Sequence, residues 1–203
     1  MGTNTLRKYI AMNIKCAGWI LHASVACGLA ALVFNPWFSV MGAVMFAGLI
    51  KRLYIDAFYS RPAYFYQSVP VSLNMAVAVK IGICSYAGFF VILGMRAEAI
   101  RFMDSVVVAA LSTFVLAIMA AAVSFAVISM DCINRRERKG NAMISGCVVM
   151  CVLIFAVKFI ENGMMGAFGS AAAAQAAVII FAVIITLIAA ITDIRIVNKN
   201  YIV

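Results

Sequence analysis

The sequence predicts an all-α integral membrane protein with six transmembrane helices and both termini cytoplasmic, and three observations carry that prediction. Of the 203 residues, 67% are hydrophobic and 11% charged, with a mean hydropathy of +1.10, whereas soluble domains run at about 45–50% apolar and about 25% charged. Cut at its charged and Pro/Gly punctuation, the chain falls into six apolar segments, near Cys16–Phe34, Pro36–Ile50, Leu73–Met95, Val106–Met130, Met143–Ile160 and Ala171–Ile191. Each approaches the ~20 residues that cross a hydrocarbon core of about 30 Å. Finally, an inside N-terminus puts 13 Lys and Arg on the cytoplasmic side and leaves only Arg96, Arg101 and Lys158 outside, the asymmetry of the positive-inside rule. That distribution, rather than nucleic-acid binding, accounts for the net charge of +9. Strand-type alternation is absent, which removes a β-barrel.

Residues 5–15, TLRKYIAMNIK, put Leu6, Tyr9, Ile10 and Ile14 on one helical face and Arg7, Lys8, Ala11 and Lys15 on another. This reads as an interfacial helix on the cytoplasmic leaflet, its basic side drawn to anionic lipid, or else as a solvated tail. The first span follows this basic stretch as a signal peptide would, but it is long for an h-region and has no small-x-small exit, so it is expected to be retained. Asn35-Pro36 makes a tight external turn into a short second span that borrows Leu53 and Tyr54.

Residues 53–70 form the longest loop, a cytoplasmic segment rich in aromatics. Ser72 then offers an N-cap for span three. Lys80 falls two turns inside that span, either snorkelling to the inner headgroups or facing a polar central cavity. Span four is long enough to tilt or to project beyond the bilayer. The inner loop 131–141, with Arg135, Arg136, Glu137 and Arg138, is a basic stop-transfer loop or a docking site for an acidic partner surface. Beyond span five, Lys158 and Glu161 are spaced to pair. The apolar, glycine-rich stretch 161–170 suits a segment dipping back into the outer leaflet. Spans four and six carry many Ala and Ser, which favour close helix packing within one chain or between two.

Some chemistry is excluded. The one histidine, His22, has no second ligand at i+3 or i+4, and the seven acidic residues avoid the middle of every span, which argues against a metalloenzyme and against an ion-coupled carrier. No P-loop motif occurs, since RKGN reverses its order. No catalytic residue, metal site or bound cofactor is therefore expected. Cys16, Cys27, Cys84, Cys132, Cys147 and Cys151 contain no CxxC pair and read as small apolar residues.

The stretch KRLYIDAFYSRPAYFYQSVPVSLNMAVAVKI resembles the cytoplasmic segment between the second and third spans of the ABC-2 type permeases of bacterial ABC exporters. There, an aromatic-rich loop leads into a Leu-Pro-Val-Ser turn, with a lysine about ten residues on. The matching residues here are Val69, Pro70, Val71, Ser72 and Lys80, with Val69 in place of the usual leucine. The C-terminal ITDIRIVNKN is similar to that family's basic, Asn-containing tail. The resemblance implies one permease domain over residues 1–203 in the bacterial plasma membrane, working as a homodimer with two cytosolic ATPase subunits that bind the ATP and Mg.

It further implies a coupling helix in which Asp56, Phe58, Tyr59, Arg61, Tyr64 and Tyr66 contact the ATPase, a contact to which Arg135, Arg136, Glu137 and Arg138 are joined. Lys80, Lys158 and Glu161 become candidates for the translocation pathway. Substrates in such families are often amphipathic or antimicrobial peptides, phenol-soluble modulins or lipophilic compounds. The alternative is a non-transporting immunity or assembly protein that binds a cytosolic partner through its inner loops.

Overall fold

The computed structural model describes residues 3–35, 37–53, 72–97, 106–134 and 170–201, together with 148, 151, 152, 155, 156, 159 and 163. Six long helices make up the described chain: α1 (Thr3–Ala17), α2 (Trp19–Val33), α3 (Trp37–Lys51), α4 (Leu73–Met95), α5 (Val106–Asn134) and α6 (Ala171–Tyr201). No strand occurs among the described residues. Among the described residues, three helices are long and apolar enough to cross a membrane, over Asn74–Met95, Val106–Val127 and Ala172–Arg195, and the bent α1–α2 pair makes a fourth if counted as one span. These helices mark a membrane protein.

The expected break between interfacial helix and first span falls at Gly18 rather than at Cys16. There the chain bends by 72°, and Gly18 takes φ +57°, ψ −145°, backbone space open essentially to glycine alone. Any Cβ at this position is strained, although the nearest atoms, on Arg52 and Lys15, are 3.6 Å or more away. Gly18→Ala is therefore expected to cost about 1–3 kcal/mol and to widen the spread of α1–α2 angles. Spin labels at Lys8 and Cys27, read by pulsed EPR alongside a thermal melt, measure both.

Asn35 turns α2 into α3: its Oδ1 accepts from the Trp37 backbone N–H at 2.9 Å and its carbonyl from Phe38 at 3.0 Å, an N-cap arrangement. At 1.5 Å per residue both arms of this hairpin are about 22 Å long, short of a ~30 Å core. Exposed Trp19 stands at one end, with Phe34 and Trp37 at the other, the placement of interfacial aromatics. Helix α3 continues past Lys51 in a wider, π-type turn as far as the buried Leu53.

Residue contacts give the helix directions. Gly28 and Ala31 of α2 meet Phe90 and Gly94 of α4, so α2 and α4 run parallel, while Ser39 and Gly42 of α3 meet Gly94 and Val91, so α3 is antiparallel to both. Helix α5 opposes α4, with Phe114 against Phe89. Helices α5 and α6 run in the same direction, because Ser112 and Gln175 share a hydrogen-bond donor while Ala122 and Ala126 pack on Ala189 further along. The core joins Leu21, Phe46, Leu49 and Ile50 to Cys84, Leu116, Phe125 and Val178. Close approach is provided by glycine, most tightly at Gly28, where a Cβ would lie 2.5 Å from the Phe90 carbonyl. Where lipid leaves no hydrophobic drive between helices, such backbone proximity holds them together.

Candidate functional site

Buried positions on α4 recur as Val77, Lys80, Cys84, Ala87 and Val91, the three-and-four spacing of one helix face. Lys80 thus lies on the face turned into the bundle, two turns above Ser72, and is only 2% exposed. Ser72 occupies the N-cap position in extended conformation, as its sequence suggests, but its hydroxyl makes no cap bond. On α6 the corresponding stripe is Ala174, Val178, Ala182, Ala189 and Asp193, and Asp193 is fully buried. Asp193 of α6, Cys16 of α1 and Cys84 of α4 lie within electrostatic reach of Lys80. Its burial places Lys80 inside the bundle rather than extended toward headgroups. A charge this deep needs a partner of opposite sign.

The same end of the bundle carries the α1–α2 elbow. The Arg52 guanidinium, at the end of α3, lies beside Gly18, where a Cβ would come within 3.6 Å of it. On α1, Arg7, Lys8 and Lys15 are exposed as the amphipathic reading expects, but the buried stripe runs through Tyr9, Asn13 and Ala17, while Leu6 and Ile10 are half-buried and Ile14 is exposed. Asn13 Nδ2 donates to the Tyr9 carbonyl at 2.9 Å. Burial pushes the Tyr9 phenol above its ordinary value, an effect the Asn13 side chain partly offsets, so Tyr9 adds no negative charge to this basic helix.

A second polar layer lies at the opposite end. Arg96, at the C-terminus of α4, is 7% exposed; its Nη1 donates to Ser112 Oγ and Thr113 Oγ1, and its Nη2 to Gln175 Oε1, each at 3.0 Å. Both hydroxyls give their own protons to the Ala109 carbonyl, at 3.0 and 2.7 Å, which leaves their lone pairs free to accept from the guanidinium. Sequence alone made Arg96 an external loop charge, whereas the structure makes it a clasp across α4, α5 and α6. Along α4 the two layers are about 24 Å apart, and Gln175 and Asp193 on α6 about 27 Å. Between them no described residue is charged, and buried polar groups are hydroxyls such as Ser24, Ser85 and Ser124, so the two layers bracket a largely apolar slab somewhat thinner than a ~30 Å hydrocarbon core.

Of the candidate residues read from sequence, Lys80 is the one whose side chain is described. Asp56, Phe58, Tyr59, Arg61, Tyr64, Tyr66, Arg135, Arg136, Glu137, Arg138, Lys158 and Glu161 lie outside the described residues, as do nearly all of segments 53–70 and 161–170 and the side chains of 131–141. His22 is exposed, and Cys16, Cys27, Cys84 and Cys151 are free thiols. No group of three metal-ligating side chains occurs among the described residues. Sequence reasoning missed Asp193, because a charge after Ile191 was read as the end of span six. Its position on the stripe running from Ala174 was the available signal. Comparison with protein-family models, with curated proteins and with solved structures gives no match for this chain.

Proposed function

We propose that the chain is the transmembrane subunit of an ATP-driven bacterial exporter, with six crossings, cytoplasmic termini and the Lys80 end of the bundle facing the cytosol. Six crossings are supported by the parallel course of α5 and α6, since consecutive elements running the same way need a return path between them, and Met143–Ile160 is apolar enough to supply it. The orientation rests on the basic asymmetry of the loops. ATP hydrolysis belongs to a separate cytosolic subunit, two copies of which would serve a homodimer of this chain. The favoured cargo is an amphipathic peptide or lipophilic compound.

One observation carries the reading. The aromatic segment that resembles an ABC-2 coupling helix lies between Leu53, at the end of α3, and Leu73, which opens α4 two turns before Lys80; Arg52 lies beside the Gly18 elbow, and Lys80 is buried within electrostatic reach of Asp193 on α6. A pull on residues 53–72 would thus reach the α1–α2 elbow through Arg52 and α6 through the Lys80–Asp193 pair. Rigid aromatics suit a plug seated in a partner's pocket, and Asp56 and Arg61 suit its orientation. Substituting Asp56, Tyr59 and Arg61 together with alanine is expected to abolish co-purification of an ATPase and ATP-dependent export, leaving membrane insertion intact. A variant that keeps both activities removes the coupling assignment.

A further inference from the structure

Where α1 crosses α4 the two helices leave a gap. Tyr9, Asn13 and Ala17 are buried on one side of α1. Ile10 and Ile14, on the neighbouring stripe, instead face Val79, Gly82 and Ile83 of α4 across an open groove of about 440 Å³, with Leu21 at its edge. Gly82 faces this open space, where a Cβ would meet nothing within 4 Å. Beyond the same Gly82–Tyr86 ridge a second apolar groove of about 540 Å³ runs to Phe89, Phe90 and Phe114. Both volumes fall within the ~300–1,000 Å³ of sites that hold small ligands.

The charge around the first groove is of one sign. Arg7, at the border of the basic face, adjoins Ile10 and Ile14 at i+3 and i+7 and is exposed, as are Lys8 and Lys15. Helix α1 contains no acidic residue. The groove meets α4 at the level of Lys80, the edge of the apolar slab, where a bilayer passes from acyl chain to headgroup. A carbon-lined gap below and basic side chains above match a molecule with a hydrocarbon chain and an anionic head.

We propose that the groove between α1 and α4 seats one acyl chain of a membrane phospholipid with an anionic headgroup, its chain along Val79, Gly82 and Ile83 and its headgroup beside Arg7. The inference requires only the membrane location and stands apart from the exporter reading. Bound there, the lipid fills the space between α1 and the bundle and fixes the amphipathic helix at its depth, so the elbow at Gly18 becomes sensitive to lipid charge.

The test uses the full chain in nanodiscs of phosphatidylcholine doped with phosphatidylglycerol or phosphatidylcholine carrying a photoactivatable acyl chain, with adducts mapped by mass spectrometry. Phosphatidylglycerol is expected to label residues 10–21 and 79–86 in preference to phosphatidylcholine. Arg7→Gln should lower that preference about fivefold, the equivalent of the ~1 kcal/mol that one basic residue contributes near an anionic surface. Gly82→Leu points its side chain into open space and is expected to remove these adducts without loss of folded protein, whereas Gly82→Ala keeps them. Equal labelling by the two lipids, adducts spread along the exposed aliphatic face of α6, or a Gly82→Leu pattern identical to wild type overturns the proposal. So does cross-linking of the groove to a second copy or to residues 143–160, which would name a different occupant.

Discussion

Removing one member of the Lys80–Asp193 pair is expected to cost far more than removing both. Lys80→Met leaves the fully buried Asp193 carboxylate without its cation, and Asp193→Leu strands the ammonium; breaking a buried pair in this way costs about 3–5 kcal/mol. Replacing both groups with apolar side chains of similar volume removes two desolvated charges at once, and the double variant is expected near wild-type stability or above it. Thermal unfolding of the four purified proteins in one detergent gives the interaction energy directly. Equal melting points for wild type and both single variants would falsify the assignment of a buried pair. If the pair also transmits motion from residues 53–72 to α6, the stable double variant should bind its ATPase partner and still fail to export.

Gly28→Leu is expected to prevent accumulation of folded protein. The α2 and α4 backbones approach so closely at this point that even a Cβ would lie 2.5 Å from the Phe90 carbonyl carbon and oxygen and 2.8 Å from the Val91 nitrogen. These are backbone atoms of a helix and cannot swing aside as a side chain can. Gly94 makes the reciprocal approach, its Cβ position 2.7 Å from Ala31 Cβ and 2.8 Å from the Gly28 carbonyl oxygen. Gly28→Ala should destabilise by about 1–3 kcal/mol, the usual cost of overpacking, and Gly28→Leu by more. Gly82→Ala, facing open space, is the matched control and is expected to lie within about 0.5 kcal/mol of wild type. Size-exclusion profiles of the three proteins in detergent rank them; a monodisperse Gly28→Leu peak would contradict the packing described.

The sequence spoke most clearly where a hydrophobic run ends in structure-breaking chemistry. Leu73–Met95 matches α4 at both ends because Pro70-Val71-Ser72 opens it and Arg96 closes it. It spoke least clearly where charges are satisfied inside the protein. Asp193 reads as the end of a span only if it is solvated; paired with Lys80 it lets α6 run on to Tyr201. Arg96 likewise reads as an external charge until Ser112, Thr113 and Gln175, distant in sequence, converge on it. Lys80 left two alternatives open because its environment depends on a residue 113 positions away. The elbow at Gly18 was hidden within a continuous apolar run, where glycine was the one local signal.

The Arg96 clasp ties α4, α5 and α6 to one another at one end, and in the exporter reading a displacement applied at Lys80 would tilt these helices about it. In the exporter reading, closure of the ATPase pair supplies the displacement and the apolar region between the charged layers changes the side on which it opens. The direct measurement is affinity purification of the tagged chain from its native membranes, wild type beside the Asp56, Tyr59 and Arg61 triple variant, with ATP hydrolysis assayed in both eluates. The account predicts a P-loop ATPase and its activity with wild type, and neither with the triple variant. Wild-type eluates without ATP hydrolysis, or equal activity in the two, would contradict it.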